Sequence, residues 1–183
     1  MFRRCLGVAL VGALLLTAAA VAAKAPPNLA AGLKAFKRPH HAYDNLPKLA
    51  EPLVDVSSSR RVATAVDKRK NQYYVYVTQM KNKTACIVLV QGKAYSTHCR
   101  PETLFFEPGE QTVAVASGLI GGVAANNVTK IVLTGGSKHL TVPLTTDNGF
   151  LYGCPAPTNC AKWVRQVVGY DATGKVVSHE PVQ

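Results

Sequence analysis

The chain centres on Thr84-Ala-Cys-Ile-Val-Leu-Val-Gln-Gly-Lys-Ala-Tyr-Ser-Thr-His-Cys99, in which Gln91-Gly92 separates two strand-forming runs. β-Branched and aromatic residues recur in both runs, and the glycine between them gives the backbone the freedom to reverse. The pattern predicts an antiparallel hairpin that brings Cys86 and Cys99 close together. A disulfide between them would stabilise the fold by about 3 kcal/mol through the loop that it closes.

The first 23 residues have the pattern of an export signal. Arg3 and Arg4 precede an apolar run that extends from Cys5 to Ala23 and ends in small residues. Signal peptides combine these features, so we predict a signal peptide over residues 1–23 that is cleaved after Ala23. The product would be secreted or extracytoplasmic, either free or associated with the cell envelope. The rival interpretation is an uncleaved anchor, because about 19 apolar residues nearly suffice to span a bilayer.

Four cysteines remain after the predicted cleavage. An even number of cysteines in an oxidising compartment favours disulfides. Proximity along the chain pairs Cys86 with Cys99 and Cys154 with Cys160, although four cysteines allow three pairings. A zinc site is the alternative, but the chain has no Cys-x-x-Cys spacing and only His98 lies near any of these cysteines. We therefore predict two local disulfides, no metal and no cofactor.

The chain is basic, with 21 Lys and Arg against 10 Asp and Glu and a formal net charge of +11. The excess is highest in residues 24–70, which would be attracted weakly to anionic surfaces such as lipid head groups or acidic wall polymer. The alternative is a segment that is merely solvated. Nucleic acid is not expected as a partner, because the compartment is wrong and no aromatic residues interleave with a basic run.

Residues 24–54 are predicted to be a proline-rich basic linker that the domain does not need for folding. No period of two or 3.6 residues persists there, and the stretch contains Pro26, Pro27, Pro39, Pro47 and Pro52. His40 and His41 lie within it, but two adjacent histidines without a third ligand do not define a metal site. Residues 55–183 are predicted to form one β-rich domain with two disulfides.

A short helix is predicted at the start of this domain, over residues 58–70. Ser58 or Ser59 can cap its first turn, and Val62, Ala65 and Val66 share one face at helical spacing. The basic run at residues 68–70 would then lie where the helix dipole favours cations.

The remainder of the chain alternates strand-forming runs with turn signals. Strands are predicted over residues 73–78, 86–90, 94–97, 112–117, 130–134, 139–144, 150–152, 163–170 and 175–178. Residues 118–127 contain three glycines and are predicted to be a loop, but not a phosphate loop, because no Lys-Ser/Thr signature follows. The spacing predicts a mainly β fold: an antiparallel sandwich or partly open barrel with one short N-terminal helix.

A series of turn and strand motifs spans residues 55–179. They are Arg60-Arg61-Val62, Cys86-Ile-Val-Leu-Val90, Cys99, Gly118-Leu119-Ile120, Val128-Thr-Lys-Ile-Val-Leu133, Val142-Pro143-Leu144, Asp147-Asn148 and Val168-Gly-Tyr-Asp-Ala-Thr-Gly174-Lys-Val. In this order they resemble a group of uncharacterised secreted β-rich proteins of actinobacteria. The resemblance implies a fold and no particular activity. The chain departs from the group at residues 121–127, which are longer and lack a proline, and in its second cysteine pair.

No grouping of reactive side chains defines an active site. The candidates are His98, His139, Asp147, Asp171 and the serines, but no Gly-x-Ser-x-Gly, no His-Glu-x-x-His and no close pair of carboxylates occurs. We therefore expect a non-catalytic exported protein, a binding or surface module whose partner is another protein or a cell-envelope polymer. A hydrolase is the weaker alternative.

A second alternative is a secreted protease inhibitor. It would present the loop between Cys154 and Cys160, whose residues are Pro155, Ala156, Pro157, Thr158 and Asn159. Two prolines and a disulfide would hold this recognition loop rigid, as an inhibitory segment must be held. The same bridge could simply staple a long hairpin.

Overall fold

The computed structural model describes residues 29–48, 56–67, 70–80, 83–103, 107, 112–116, 119–153 and 163–182. The predicted signal peptide and the segment from Cys154 to Cys160 lie outside these residues. A single helical turn, α1 (Leu29–Gly32), begins the described part, and short 3-10 turns follow at Lys34–Lys37, Ala42–Asp44 and Val56–Ser58.

The prediction of a mainly β, antiparallel fold is confirmed. The strands are β1 (Arg60–Val66), β2 (Gln72–Gln79), β3 (Thr84–Gln91), β4 (Ala94–Pro101), β5 (Thr112–Ala116), β6 (Leu119–Ala124), β7 (Lys130–Gly135), β8 (Lys138–Val142), β9 (Gly149–Gly153), β10 (Gln166–Tyr170) and β11 (Val176–Pro181). They form an N-terminal sheet in the order β1-β2-β3-β4, a middle sheet β5-β6-β9 and a C-terminal sheet β11-β10-β7-β8. None of these sheets closes into a barrel in the part of the chain that the structure describes.

The middle sheet separates two apolar cores. Every residue of β6 is buried. Leu119 and Val123 pack with inward side chains of the N-terminal sheet, whereas Ile120 and Ala124 pack with those of the C-terminal sheet. A strand that is buried on both faces has a continuous apolar sequence rather than an alternating one, and this is the pattern of β6.

The prediction of a loop over residues 118–127 is therefore wrong for residues 119–124, which form β6. Its glycines permit close packing instead of a turn. A Cβ added to Gly121 would lie 2.7 Å from Val75 Cγ2, so the two sheets could not approach as closely with any larger residue. Gly149 on the neighbouring β9 has the same role, because an added Cβ would lie 2.3 Å from the carbonyl oxygen of Val62.

The helix predicted over residues 58–70 is also wrong. Residues 60–66 form strand β1, which pairs with β2 and contains a register shift between Arg61 and Ala63. At this bulge two consecutive residues, Val62 and Ala63, are both buried, which is a departure from strict alternation. Val66, expected on the buried face of the helix, is 61% exposed.

The central hairpin and its Cys86–Cys99 bridge are confirmed, although the turn consists of Gly92 and Lys93 rather than Gln91 and Gly92. Cys86 lies directly opposite Cys99 across β3 and β4, and the two form a disulfide. The strands are joined by a two-residue turn in which Gly92 adopts a positive φ of 57°. A left-handed backbone at that position is tolerated best by glycine.

Two features of the C-terminal sheet follow from the chemistry of single residues. Pro143 follows directly after β8, an edge strand of that sheet. This position suits proline, which has no backbone N–H to donate to a neighbouring strand. The last hairpin turns at residues 171–174, where the Asp171 carboxylate accepts hydrogen bonds from the backbone N–H groups of Thr173 and Lys175.

Part of the predicted linker is packed against the sheets. Leu33 and Ala35 are fully buried and belong to the core between the N-terminal and middle sheets. Leu46 packs on the opposite face of the N-terminal sheet, against Tyr76 and Val88. The domain boundary at residue 55 stays a prediction, but residues on its N-terminal side contribute to two apolar clusters.

Candidate functional site

The histidine and aspartate candidates lie on different strands and turns, and the contacts of three of them are separate. The His98 ring lies on β4, 3.3 Å from the Arg100 guanidinium, and His139 is exposed on β8. Asp147 forms a salt bridge with Arg38, and Asp171 stabilises the last hairpin turn. Within the described residues no three His, Cys, Asp or Glu side chains are grouped so that they could hold a metal ion.

The predicted recognition loop, Pro155 to Asn159, lies outside the described residues, together with Cys154 and Cys160. The second disulfide and the inhibitor alternative therefore stay predictions. Of the predicted cysteine residues, the structure places Cys86 and Cys99, as a bridge between two strands of the N-terminal sheet.

A network of charged side chains holds the N-terminal segment against the sheets. The Arg38 guanidinium donates two hydrogen bonds to Asp44, from Nη1 to Oδ2 at 2.6 Å and from Nη2 to Oδ1 at 2.8 Å. Its Nε donates to Asp147 Oδ2 at 2.8 Å, across a sequence separation of 109 residues. One arginine thus ties residues 38–44 to the turn that precedes β9.

The Asp44 carboxylate is completely buried and fully hydrogen-bonded. Besides Arg38, the backbone N–H groups of His41 and Arg61 donate to it at 2.8 and 2.7 Å. Burial raises the pKa of Asp44, but the hydrogen bonds from Arg38, His41 and Arg61 outweigh burial and leave a pKa of about 2. The same pairing raises the pKa of Arg38, so both charges are compensated within the protein.

The Arg38–Asp44 pair also covers the edge of β1. Asp44 accepts from the backbone N–H of Arg61, and Arg38 Nη2 donates to the carbonyl oxygen of Arg61 at 3.1 Å. The two side chains therefore satisfy both backbone groups of Arg61, as a neighbouring strand would. An edge covered in this way is protected against pairing with another chain at that residue.

The Arg61 side chain itself is held between two tyrosine rings. Its guanidinium carbon lies 4.7 Å from the ring centroid of Tyr43 and 5.2 Å from that of Tyr74. Tyr43 is 46% exposed and stacks on His41, with ring centroids 5.1 Å apart. Among the described residues Arg61 has no salt-bridge partner, in contrast to Arg38. We call Arg61, Tyr43 and Tyr74 the Arg61–tyrosine cluster.

Sequence reasoning did not find this cluster. Arg61 and Tyr74 lie on paired strands, but Tyr43 comes from the segment that was predicted to be a linker. The available signal was the acidic Asp44 beside an aromatic residue in an otherwise basic segment. That signal alone does not indicate which strand the segment contacts.

Comparisons with protein-family models, curated proteins and solved structures found no match. The resemblance to secreted actinobacterial proteins therefore stays a prediction. In the part of the chain that the structure describes, no helix is long and apolar enough to cross a membrane. The Cys86–Cys99 disulfide is compatible with an extracytoplasmic protein.

Proposed function

We propose that the protein is a non-catalytic extracytoplasmic binding or surface module that recognises an acidic polymer of the cell envelope through the Arg61–tyrosine cluster. The observation that carries the proposal is the contrast between two neighbouring arginines. Arg38 is neutralised by Asp44 and Asp147, whereas Arg61 lies between tyrosine rings without a carboxylate partner in the described residues.

The chemistry of the cluster supports an acidic ligand. Arginine binds carboxylate and phosphate groups with its planar fork of donors, and tyrosine rings hold that fork at a low cost in conformational entropy. Arginine and tyrosine are also enriched where proteins bind partners. The basic composition of the chain would add a long-range, salt-dependent attraction to the same class of partner.

Binding to polygalacturonate, an acidic polysaccharide, tests the proposal, with dextran as the neutral control. We expect Arg61→Gln to weaken binding about tenfold, the effect of losing one charge-assisted hydrogen bond. Arg61→Lys should retain part of the affinity, because it keeps the charge and loses the planar fork. The matched control is Arg165→Gln, which removes an exposed arginine outside the cluster and should leave the affinity unchanged. Isothermal titration calorimetry at low and high salt measures all four proteins.

Two results would contradict the proposal. Equal affinity for dextran and polygalacturonate would show that charge does not determine binding. Equal losses in Arg61→Gln and Arg165→Gln would show that only net charge matters and that the Arg61–tyrosine cluster is not the site.

A further inference from the structure

Two hairpin turns lie side by side at one end of the N-terminal sheet. Strand β2 begins at this end, where Val66 of β1 lies opposite Gln72 and Tyr73 lies opposite Gln91 of β3. The β1–β2 turn and the β3–β4 turn therefore project in the same direction. Neighbouring strands are about 4.8 Å apart, which places the centres of the two turns about 10 Å from each other.

Both turns carry an exposed lysine. Lys70 and Lys93 have no salt-bridge partner within the described residues. The nearby carboxylate, Asp67, is engaged in the turn itself, where it accepts from Asn71 N at 2.9 Å, Asn71 Nδ2 at 2.8 Å and the Tyr73 hydroxyl at 2.8 Å. Among the described residues of the two turns, Lys70 and Lys93 outnumber the one carboxylate, so this end of the sheet carries a net positive charge.

Apolar side chains are exposed at the same end. Val66 is 61% and Tyr95 is 40% exposed, two of the four large hydrophobic residues that are exposed in the described part of the chain. Val66 lies opposite Gln72, and Tyr95 lies opposite Val90. Gln72 and Tyr74 are alternate residues of β2 and point to the same side, and Tyr74 lies opposite Val90. Val66 and Tyr95 therefore share one face of the sheet, the face on which Val90 packs with Leu46.

We propose that Val66, Lys70, Lys93 and Tyr95 form a surface that docks on an anionic lipid bilayer. Lysines near a membrane are attracted to anionic head groups, and tyrosine and other partly apolar side chains favour the interface between head groups and acyl chains. An acidic polysaccharide would satisfy the lysines but would leave Val66 in water. The exposed valine is the reason for choosing a bilayer as the partner.

This inference goes beyond the proposed recognition of an acidic polymer and concerns different residues. Binding to large unilamellar vesicles tests it, with 30% phosphatidylglycerol in phosphatidylcholine as the probe and pure phosphatidylcholine as the neutral reference. The protein is used as exported, with its N-terminus determined by mass spectrometry. We expect the protein to cosediment with the anionic vesicles and much less with the neutral ones.

Single substitutions then locate the surface. Lys70→Gln and Lys93→Gln should each lower the partition coefficient about fivefold, the effect of one lysine near an anionic membrane. Val66→Ser should lower it as well, including at high salt, because it removes apolar contact and no charge. The matched control is Lys83→Gln. Lys83 is exposed, has a positive φ of 59° like the 64° of Lys70, and lies in the β2–β3 turn at the opposite end of the sheet.

The controls separate this inference from the proposed function. Arg61→Gln should bind vesicles normally while it loses affinity for polygalacturonate. Equal losses in Lys83→Gln and Lys70→Gln, or equal binding to neutral and anionic vesicles, would overturn the docking surface. Loss of polysaccharide binding in Lys70→Gln without any change in vesicle binding would assign this end of the sheet to the polymer and would likewise overturn it.

Discussion

Asp44 shows how one side chain can join a segment to a sheet. It is fully buried, yet it is ionised, because Arg38 and two backbone N–H groups compensate its charge. A buried ion pair contributes little beyond what apolar residues would contribute, but removal of one partner leaves an uncompensated charge. The network therefore determines where the N-terminal segment docks more than how strongly it docks.

The depressed pKa of Asp44 predicts a specific loss of stability in acid. The carboxyl has a pKa of about 2 in the folded protein against an ordinary value of 3.8. Its stabilising contribution is therefore complete above about pH 4 and is lost as the pH falls towards 2, with a total of about 2 kcal/mol. Urea denaturation between pH 2 and pH 6 measures this component.

Asp44→Asn provides the comparison, because it removes the titrating group. The variant should be less stable than the parent protein at pH 6 by about 3 kcal/mol, and the difference between the two should shrink towards pH 2. A difference that is constant over this range would show that Asp44 does not account for the acid component.

At the level of elements, the close contact between the middle sheet and the N-terminal sheet depends on two glycines that have no side chain. Gly121 on β6 and Gly149 on β9 lie where the middle sheet meets the N-terminal sheet, and an added Cβ at either would overlap a neighbour. The neighbours differ: Val75 and Leu151 present side-chain methyl groups to Gly121, whereas Val62 presents its backbone to Gly149. Side chains can shift more easily than a strand can.

This difference predicts an order of stability among three alanine substitutions. Gly149→Ala should cost the most, because the backbone of Val62 cannot move without disturbing β1. Gly121→Ala should cost about 1 to 3 kcal/mol, as overpacked cores do. Gly153→Ala is the matched control on β9, since its Cβ would meet Leu119 Cδ2 at an ordinary 3.4 Å. Thermal denaturation of the three variants checks the order, and a Gly153→Ala variant as unstable as Gly149→Ala would contradict it.

At the level of the whole molecule, residues before the predicted domain boundary belong to the core. Leu33 is fully buried between the N-terminal and middle sheets, and the carbonyl oxygen of Gly32 accepts a hydrogen bond from the backbone N–H of Asn126, just after β6. The segment thus contacts elements that come much later in the chain. From such contacts we predict that the segment unfolds together with the sheets.

A pair of neighbouring substitutions tests this integration. Leu33→Ala should lower the free energy of unfolding by about 2 to 5 kcal/mol, the usual cost of a large-to-small change in a core. Lys34→Ala, at an exposed neighbour, should change it by less than about 0.5 kcal/mol. Urea denaturation decides between them. Equal, small effects would instead support the prediction that residues 24–54 are dispensable for folding.

The features that could be predicted from the sequence are those that depend on nearby residues. The hairpin of β3 and β4, the Cys86–Cys99 bridge and the turn at residues 171–174 follow from side-chain alternation and turn chemistry within about 16 residues. The mainly β class follows from the repetition of such units. Predictions from local patterns failed where two different structures produce the same pattern. The bulge in β1 gives apolar residues the spacing of a helix, and the glycines that allow close packing of β6 resemble those of a loop.

The tertiary structure alone decided which distant residues meet. The Arg38–Asp147 salt bridge joins residues 109 positions apart, and the Arg61–tyrosine cluster combines a side chain of β1 with one from the docked N-terminal segment. No periodicity records such partners, because the period of a strand specifies which side of the sheet a residue faces and not what lies opposite. Arg38 and Arg61 are both arginines of a basic segment in the sequence, and both lie near the Tyr43 ring in the structure. They differ because, among the described residues, the fold places carboxylates around Arg38 and none around the Arg61 side chain.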